Sequence, residues 1–268
     1  MAVLIPDLCL DLVAESAVLE SVLELLGQAG WQTPTPADGW SIQDQISHLA
    51  YFDHAVTTAV TDPDRFRVEL AETRKLPGNS IDAIVTAGRS HSGGQILEQF
   101  RAARSTMIEA FEHADLSVRV PWYGPAMSVA SALTARIMET WAHGQDVFDA
   151  LDVAHPPTVA LRQVAHIGVR ALPNSFTSHG RPVPLDEVRL ELTGPDGDQW
   201  IWGPEPDRTD NLITGPSLDF CLIVTQRRHV DDTDIVMSGP VATEWMSIAQ
   251  AFAGPAGSGR RPGQFPKG

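Results

Sequence analysis

This sequence offers little material for covalent staples, for anion-binding surfaces or for crossing a membrane. Only two cysteines occur among its 268 residues, Cys9 and Cys221, far apart and without a CxxC spacing. Each sits in an apolar run, which fits reduced, buried thiols in a cytosol rather than a disulfide framework. Basic residues are scarce as well. Lys and Arg number 19 against 34 Asp and Glu, a formal net charge of −15. Binding to nucleic acid or anionic lipid draws on clustered cations, so neither partner class is expected. There is no run of about 18 apolar residues, and so no expected transmembrane helix. The opening stretch MAVLIPDLCLDLVAE has no basic segment and is interrupted by Asp7 and Asp11. It does not read as a signal peptide. The expectation is a cytoplasmic protein, monomer or homodimer.

What is present suits a globular chain: 43% of residues are hydrophobic and 20% charged, at a length that buries a core without staples. The first half has helical periodicity. Residues 7–27 place Leu8, Leu12, Leu19, Val22 and Leu26 on one face, ending at Gly27. A second helix starts after Ser41, a good N-cap with Asp44 three residues on to answer it. A third covers about 92–114. A fourth begins at Ser128 and continues to about 151. Four long helices suggest an antiparallel four-helix bundle over residues 1–152. The loop at 61–90 is long for a bundle and is a candidate for a helical turn or part of a pocket.

After HPPTVA the texture changes. A fifth helix is expected at 157–171, then a hairpin in VRLELTGPDGDQWIW, with alternating residues on both sides of a Gly-Pro-Asp-Gly turn. PSLDFCLIVTQRR and PVATEWMSIAQAF read as two further helices or strand–helix junctions. The whole is an α+β chain with a smaller α/β domain over residues 153–253. Residues 254–268 are Gly/Pro-rich and read as a flexible tail.

The chemistry concentrates in RIMETWAHGQDVFDAL, residues 136–151. At 100° per residue, Ala132, Ala135, Glu139, His143, Asp146 and Ala150 share one stripe, while Leu133, Ile137, Trp141 and Phe148 fill the opposite side. Glu139 and His143, four apart, are neighbours able to close on one ion. A third ligand must come from another helix. His48 lies at the edge of the apolar arc Ile42, Ile46, Leu49, Phe52 and Val56, whereas His54 points elsewhere. Facing these two helices would bring His48 to Glu139 and His143. Two imidazoles and a carboxylate leave open positions on a divalent ion: zinc first, with nickel, iron or cobalt as alternatives. Taken singly, each residue has a plainer reading, as a packed histidine or a weak surface ion pair. Asp146 is a candidate for orienting His143, for a fourth ligand or for a polar residue at the mouth.

GWSIQDQISHLAYFDHAV followed by ARIMETWAHGQDVFDAL resembles the DinB-like superfamily, and more narrowly the mycothiol-dependent maleylpyruvate isomerase type of actinobacteria. The likeness covers roughly the first 150 residues. It implies a four-helix bundle with His48, Glu139 and His143 as metal ligands, and Trp40, Ser41, Gly144 and Asp146 complete the matched residues. The second half, through VPWYGPAMS, DFCLIVTQRRHVDDTD and WMSIAQAFAG, resembles an actinobacterial subgroup described as metal-binding proteins. A sterol-carrier-like C-terminal domain is implied by the related isomerases.

The expected function is therefore a thiol-dependent transferase or isomerase. Its partners would be a small-molecule thiol, mycothiol being the implied one, and an electrophilic substrate. A metal-bound thiol loses its proton near neutral pH and attacks an electrophilic carbon. Trp122, Tyr123 and Met127 are candidates for the entrance, with loop packing as the alternative for the two aromatics. Arg227 and Arg228 are candidates for gripping a substrate carboxylate, with pairing to Asp231 and Asp232 as the alternative. Two rival classes stay open: a metal or ligand carrier without catalysis, and a hydrolase using activated water.

Overall fold

The computed structural model describes residues 4–75 and 85–265. The chain divides into two compact units, residues 1–156 and 157–268.

In the first unit the helices are α1 (Ile5–Leu23), α2 (Gln28–Trp31), α3 (Ile42–Thr61), α4 (Pro63–Thr73) and α5 (Gly93–Glu112). A two-stranded hairpin, β1 (Arg119–Val120) and β2 (Met127–Ser128), leads into α6 (Val129–Leu151). Each start has a local cause. Ser41 and Asp44 form a reciprocal capping box for α3, and Ser92 with Gln95 does the same for α5. Ser128 caps α6 by accepting from the Ser131 amide, and Asp152 ends that helix in the left-handed conformation. α1 stops at Leu23, short of Gly27, because Gly27 takes extended backbone and opens α2 instead. The long loop holds α4, capped by Asp62 with Pro63 in its first turn. The rest of that loop over residues 76–84 lies outside the described residues.

α3 packs on α5 and α6, and α1 packs on the same two helices, so the four long helices close a ring. Leu19, Leu23, Ile42, Ile46, Leu49 and Phe100 lie in its apolar core. Each such side chain contributes roughly 1.5–3 kcal/mol of burial free energy. The centre is also ionic. Arg104 and Arg136 both bind the fully buried Asp53, with Nε to carboxylate distances of 2.7 and 3.0 Å. Arg104 also donates to Thr140 Oγ1 at 2.9 Å and to Ser16 Oγ, which ties α1, α3, α5 and α6 together. Removing any one partner of such a network leaves a buried charge uncompensated. On the other flank of α6, His155 Nε2 lies 3.0 Å from the buried Glu15, its ring stacked on Trp141 and Phe148.

The second unit contains α7 (Ala160–Arg170), α8 (Leu172–Ser178), β3 (Arg189–Thr193), β4 (Gln199–Trp202), β5 (Leu212–Pro216), α9 (Ser217–Val224), β6 (Val236–Ser238) and α10 (Pro240–Ile248). The fifth helix expected at 157–171 is α7, and a further short helix, α8, follows it with Pro173 in its first turn. The sheet runs β4-β3-β5-β6. β3 pairs antiparallel with β4 and parallel with β5, and β6 is antiparallel to β5. The hairpin places Leu192 opposite Trp200, and its turn uses Gly197 at φ 83°, a conformation costly for other residues. α9 starts directly from the end of β5 and packs on α7, where Gly168 leaves room for Phe220 and Val224. The buried Gln250 donates to the carbonyls of Phe252 and Pro255 and accepts from the Gly257 amide. No helix among the described residues is long and apolar enough to cross a membrane.

Candidate metal centre

α3 and α6 meet with their polar residues facing. His48 from α3 and Glu139 and His143 from α6 offer ligand atoms that all lie within 4.8 Å of one another. The convergence point is Glu139 Oε2, 3.1 Å from His143 Nε2 and 3.7 Å from His48 Nε2. The imidazole centroids are 4.3 Å apart. His48 is buried, while Glu139 and His143 are partly accessible, so the cluster has a wet side.

The charge states follow from the surroundings. Burial, reinforced by the neighbouring His143, lowers His48 to about 4, so it is a neutral donor at pH 7. Burial alone would raise Glu139. The hydrogen bond from His143 and the nearby His48 ring override it and hold that carboxyl well below its ordinary value. Two imidazoles and one carboxylate, converging through their nitrogen and oxygen atoms, are the donor set of an open divalent-metal site. The residues fit such an ion.

Gln45, one turn before His48 on α3, sets the tautomer of His143. Its Oε1 lies 2.5 Å from His143 Nδ1. Its amide nitrogen donates to Thr35 Oγ1 at 2.9 Å and to Asp146 Oδ2 at 3.5 Å. A carboxylate only accepts, so Asp146 turns the Gln45 NH₂ toward itself and leaves the carbonyl for His143. Nδ1 then carries the proton that Gln45 accepts, and Nε2 is the ring nitrogen turned to Glu139 and open to a bound ion. Asp146, expected beside His143, is thus placed one residue further back. Gln45 escaped the sequence reading, although its position three before His48 puts it on the same flank of the helix.

Aromatic rings wall the site. Trp40 stacks on His143, with centroids 5.9 Å apart, and lies 5.3 Å from His48. Phe52 lies 4.6 Å from His48. Trp122 and Tyr123 connect to the triad through Phe52, at 6.0 and 5.4 Å, and Trp122 stacks on Phe66. Burial and the hydrogen bond with Tyr51 push the Tyr123 hydroxyl up, so it stays protonated. Met127 sits in β2 opposite Val120. His54 is exposed. Arg227 and Arg228 belong to the second unit, where Arg227 donates to the Thr225 carbonyl and Arg228 lies 3.9 Å over the Phe265 ring.

A family model described as the mycothiol maleylpyruvate isomerase N-terminal domain matches residues 12–148, about half of the chain and all of the triad. The chain belongs to that family. Among curated relatives, the uncharacterized proteins MT0041 and Rv0036c of Mycobacterium tuberculosis (strains CDC 1551 / Oshkosh and ATCC 25618 / H37Rv) are each 41% identical over 250 residues. Each match covers 93% of this chain and 96% of the relative. The crystal structure of the mycothiol-dependent maleylpyruvate isomerase is similar in fold, with a TM-score of 0.58 at 16% identity, covering 87% of this chain and 93% of that one. A histidine-to-alanine mutant of that isomerase gives 0.57 at 15% identity, with the same coverage. At such identities the likeness is one of mixed helix-and-sheet architecture, which this member of the family shares over most of its length.

Proposed function

We propose that this chain is a thiol-dependent transferase or isomerase whose His48, Glu139 and His143 hold a divalent metal, zinc first, on a four-helix bundle. The observation that carries the reading is the pair of Nε2 atoms directed at one Glu139 oxygen, with the His143 tautomer held by Gln45. A divalent ion bound there would lower the pKa of a coordinated thiol toward neutrality.

The chain's own residues do the rest. Gln45 and Asp146 keep the His143 proton on Nδ1. Glu139 stays an anion and His48 neutral. Trp40 and Phe52 exclude water from the two imidazoles, and Trp122 and Tyr123 extend that wall toward the electrophile. The nucleophilic sulfur comes from a cosubstrate, for which mycothiol is the family's candidate. Neither cysteine suits the part: burial, with Glu112 adding to it, pushes Cys9 up to about 11, and burial pushes Cys221 well above its ordinary value. The hydrolase alternative needs a free base beyond the ligands. Asp146 is buried and engaged with Gln45, which disfavours it for that role. The mixed sheet and helices of the second unit are compatible with a sterol-carrier-like domain.

The test is consumption of mycothiol by the zinc-loaded full chain in the presence of maleylpyruvate and a panel of small electrophiles. The reading predicts adduct formation or mycothiol-dependent isomerisation that is lost in Glu139→Gln. Zinc binding without thiol-dependent turnover of any electrophile in the panel would favour a carrier instead.

A further inference from the structure

Trp40 reaches the metal centre on a loop that is fastened from two sides. Residues 33–41 fold back on themselves: the Ile42 amide donates to the Thr33 carbonyl and the Trp40 amide to the Ala37 carbonyl, both at 3.0 Å, and Pro34 bridges Ser41. Gly39 makes the reversal at φ 77°, a conformation costly for other residues. On the outer side Arg89 donates to the Gly39 carbonyl at 2.8 Å and grips the Asp44 carboxylate at 2.9 and 3.0 Å. On the inner side the fastening is Thr35.

The Thr35 amide and hydroxyl both donate to the Trp40 carbonyl, at 2.8 and 2.9 Å. The amide alone closes the turn, so the hydroxyl is not needed for it. A hydroxyl has one proton to give. With that proton on the Trp40 carbonyl, Thr35 Oγ1 is left to accept, and it accepts from Gln45 Nε2 at 2.9 Å. A reversed Gln45 amide would need the same proton for its own carbonyl, and Trp40 would lose it. Thr35 and Asp146 therefore turn Gln45 the same way, which leaves Oε1 for His143 Nδ1. The circuit closes through the rings, where Trp40 stacks on His143 with 15° between their planes.

We infer that Thr35 is a positioning residue of this centre: its hydroxyl couples the seat of the Trp40 ring to the orientation of His143. The inference rests on the metal-centre reading above. Thr35 touches no ligand of the triad and acts through Gln45 on one side and the Trp40 backbone on the other. A seated Trp40 then favours the ring pose in which His143 Nε2 meets the ion. Such coupling is reciprocal, so a bound ion must seat Trp40 by the same factor. Valine in place of Thr35 keeps the branched shape and removes only the hydroxyl, which separates the cover from the ligand.

The test uses the full-length protein labelled with fluorotryptophan, in which the Trp40 resonance is identified by its absence from Trp40→Phe. Zinc affinity is measured alongside by competition with a chelator. In the wild type, zinc shifts and sharpens the Trp40 fluorine resonance. Thr35→Val weakens zinc binding about fivefold, the value of one neutral hydrogen bond, and zinc no longer moves Trp40. Thr35→Ser, which keeps the hydroxyl, restores both. The double variant Thr35→Val/Trp40→Phe loses less than the product of the two single losses, because both cut the same circuit. Zinc affinity within twofold of wild type for Thr35→Val, or a Trp40 resonance that zinc still moves in full, overturns the inference and leaves the metal centre standing. Thr35→Ser as impaired as Thr35→Val also overturns it, since the side chain would then serve packing alone. A wild type that takes up no zinc overturns the reading of the centre, and this inference with it.

Discussion

Replacing Gln45 by leucine isolates the contact that orients a ligand without touching the ligands themselves. The wild-type chain of contacts runs from Asp146 and Thr35 to the Gln45 amide, and from the Gln45 carbonyl to His143 Nδ1 at 2.5 Å. Leucine has similar bulk but accepts no proton. The His143 ring is then free to change tautomer or turn, and its Nε2 is no longer held toward Glu139. Loss of such an outer partner typically weakens metal binding by about 10–100-fold, or about 1.4–2.8 kcal/mol. The assay is competition of the full-length protein with a chelator for zinc at 25 °C, on variants whose helicity matches the wild type. Asp146 loses a donor in the same variant, so stability also falls, and affinity must be read well below the melting temperature. Asp146→Asn provides an internal check. A neutral amide no longer dictates which way Gln45 points, and a smaller loss in the same direction is expected. Zinc affinity within twofold of wild type for Gln45→Leu would refute the reasoning.

Other expectations follow from the same structure. Asp53→Ala leaves the guanidiniums of Arg104 and Arg136 buried without their carboxylate. Urea unfolding should show about 3–5 kcal/mol of lost stability; a loss below about 1 kcal/mol would mean that water reaches the cluster. The metal-free protein should weaken as the pH falls from 7 to 5. His48 has a folded pKa near 4 against 6.5 unfolded, so the unfolded chain takes up the proton first in that window. Stability is full above 6.5 and declines by about 2 kcal/mol at pH 5, a component that His48→Gln should abolish. Glu139, held below its ordinary value, acts with the same sign further down the scale. Native Cys9 and Cys221 should react with a thiol reagent only on unfolding, because both are buried and their thiols stay protonated; rapid native labelling of both would contradict their burial.

The triad is legible in the sequence because its chemistry is periodic. Glu139 and His143 are one helical turn apart in an alanine-bearing stripe, and His48 borders an apolar arc. The helix starts are legible for a similar reason, since Ser41 with Asp44 and Ser128 before an apolar run are local signals. Long-range polar partners leave no such trace. Arg104 and Arg136 carry no local signal of burial; it depends on Asp53, 51 and 83 residues away. Gln45 is equally silent, because its role needs both Asp146 and His143 from another helix. The end of α1 was illegible because Gly27 could close one helix or open the next, and only the docking of Trp31 in the core favours the second. The division of PSLDFCLIV between strand and helix turns on β5 pairing with β3, a contact the local pattern does not encode.

The metal content of the purified full-length protein, by elemental analysis, bears most directly on the centre, measured beside His48→Ala and His143→Ala. The account predicts about one equivalent of zinc or another divalent metal in the wild type and its loss from both variants. A wild type that stays empty after incubation with zinc, with variants altered only in stability, would make these histidines packing residues and contradict the account.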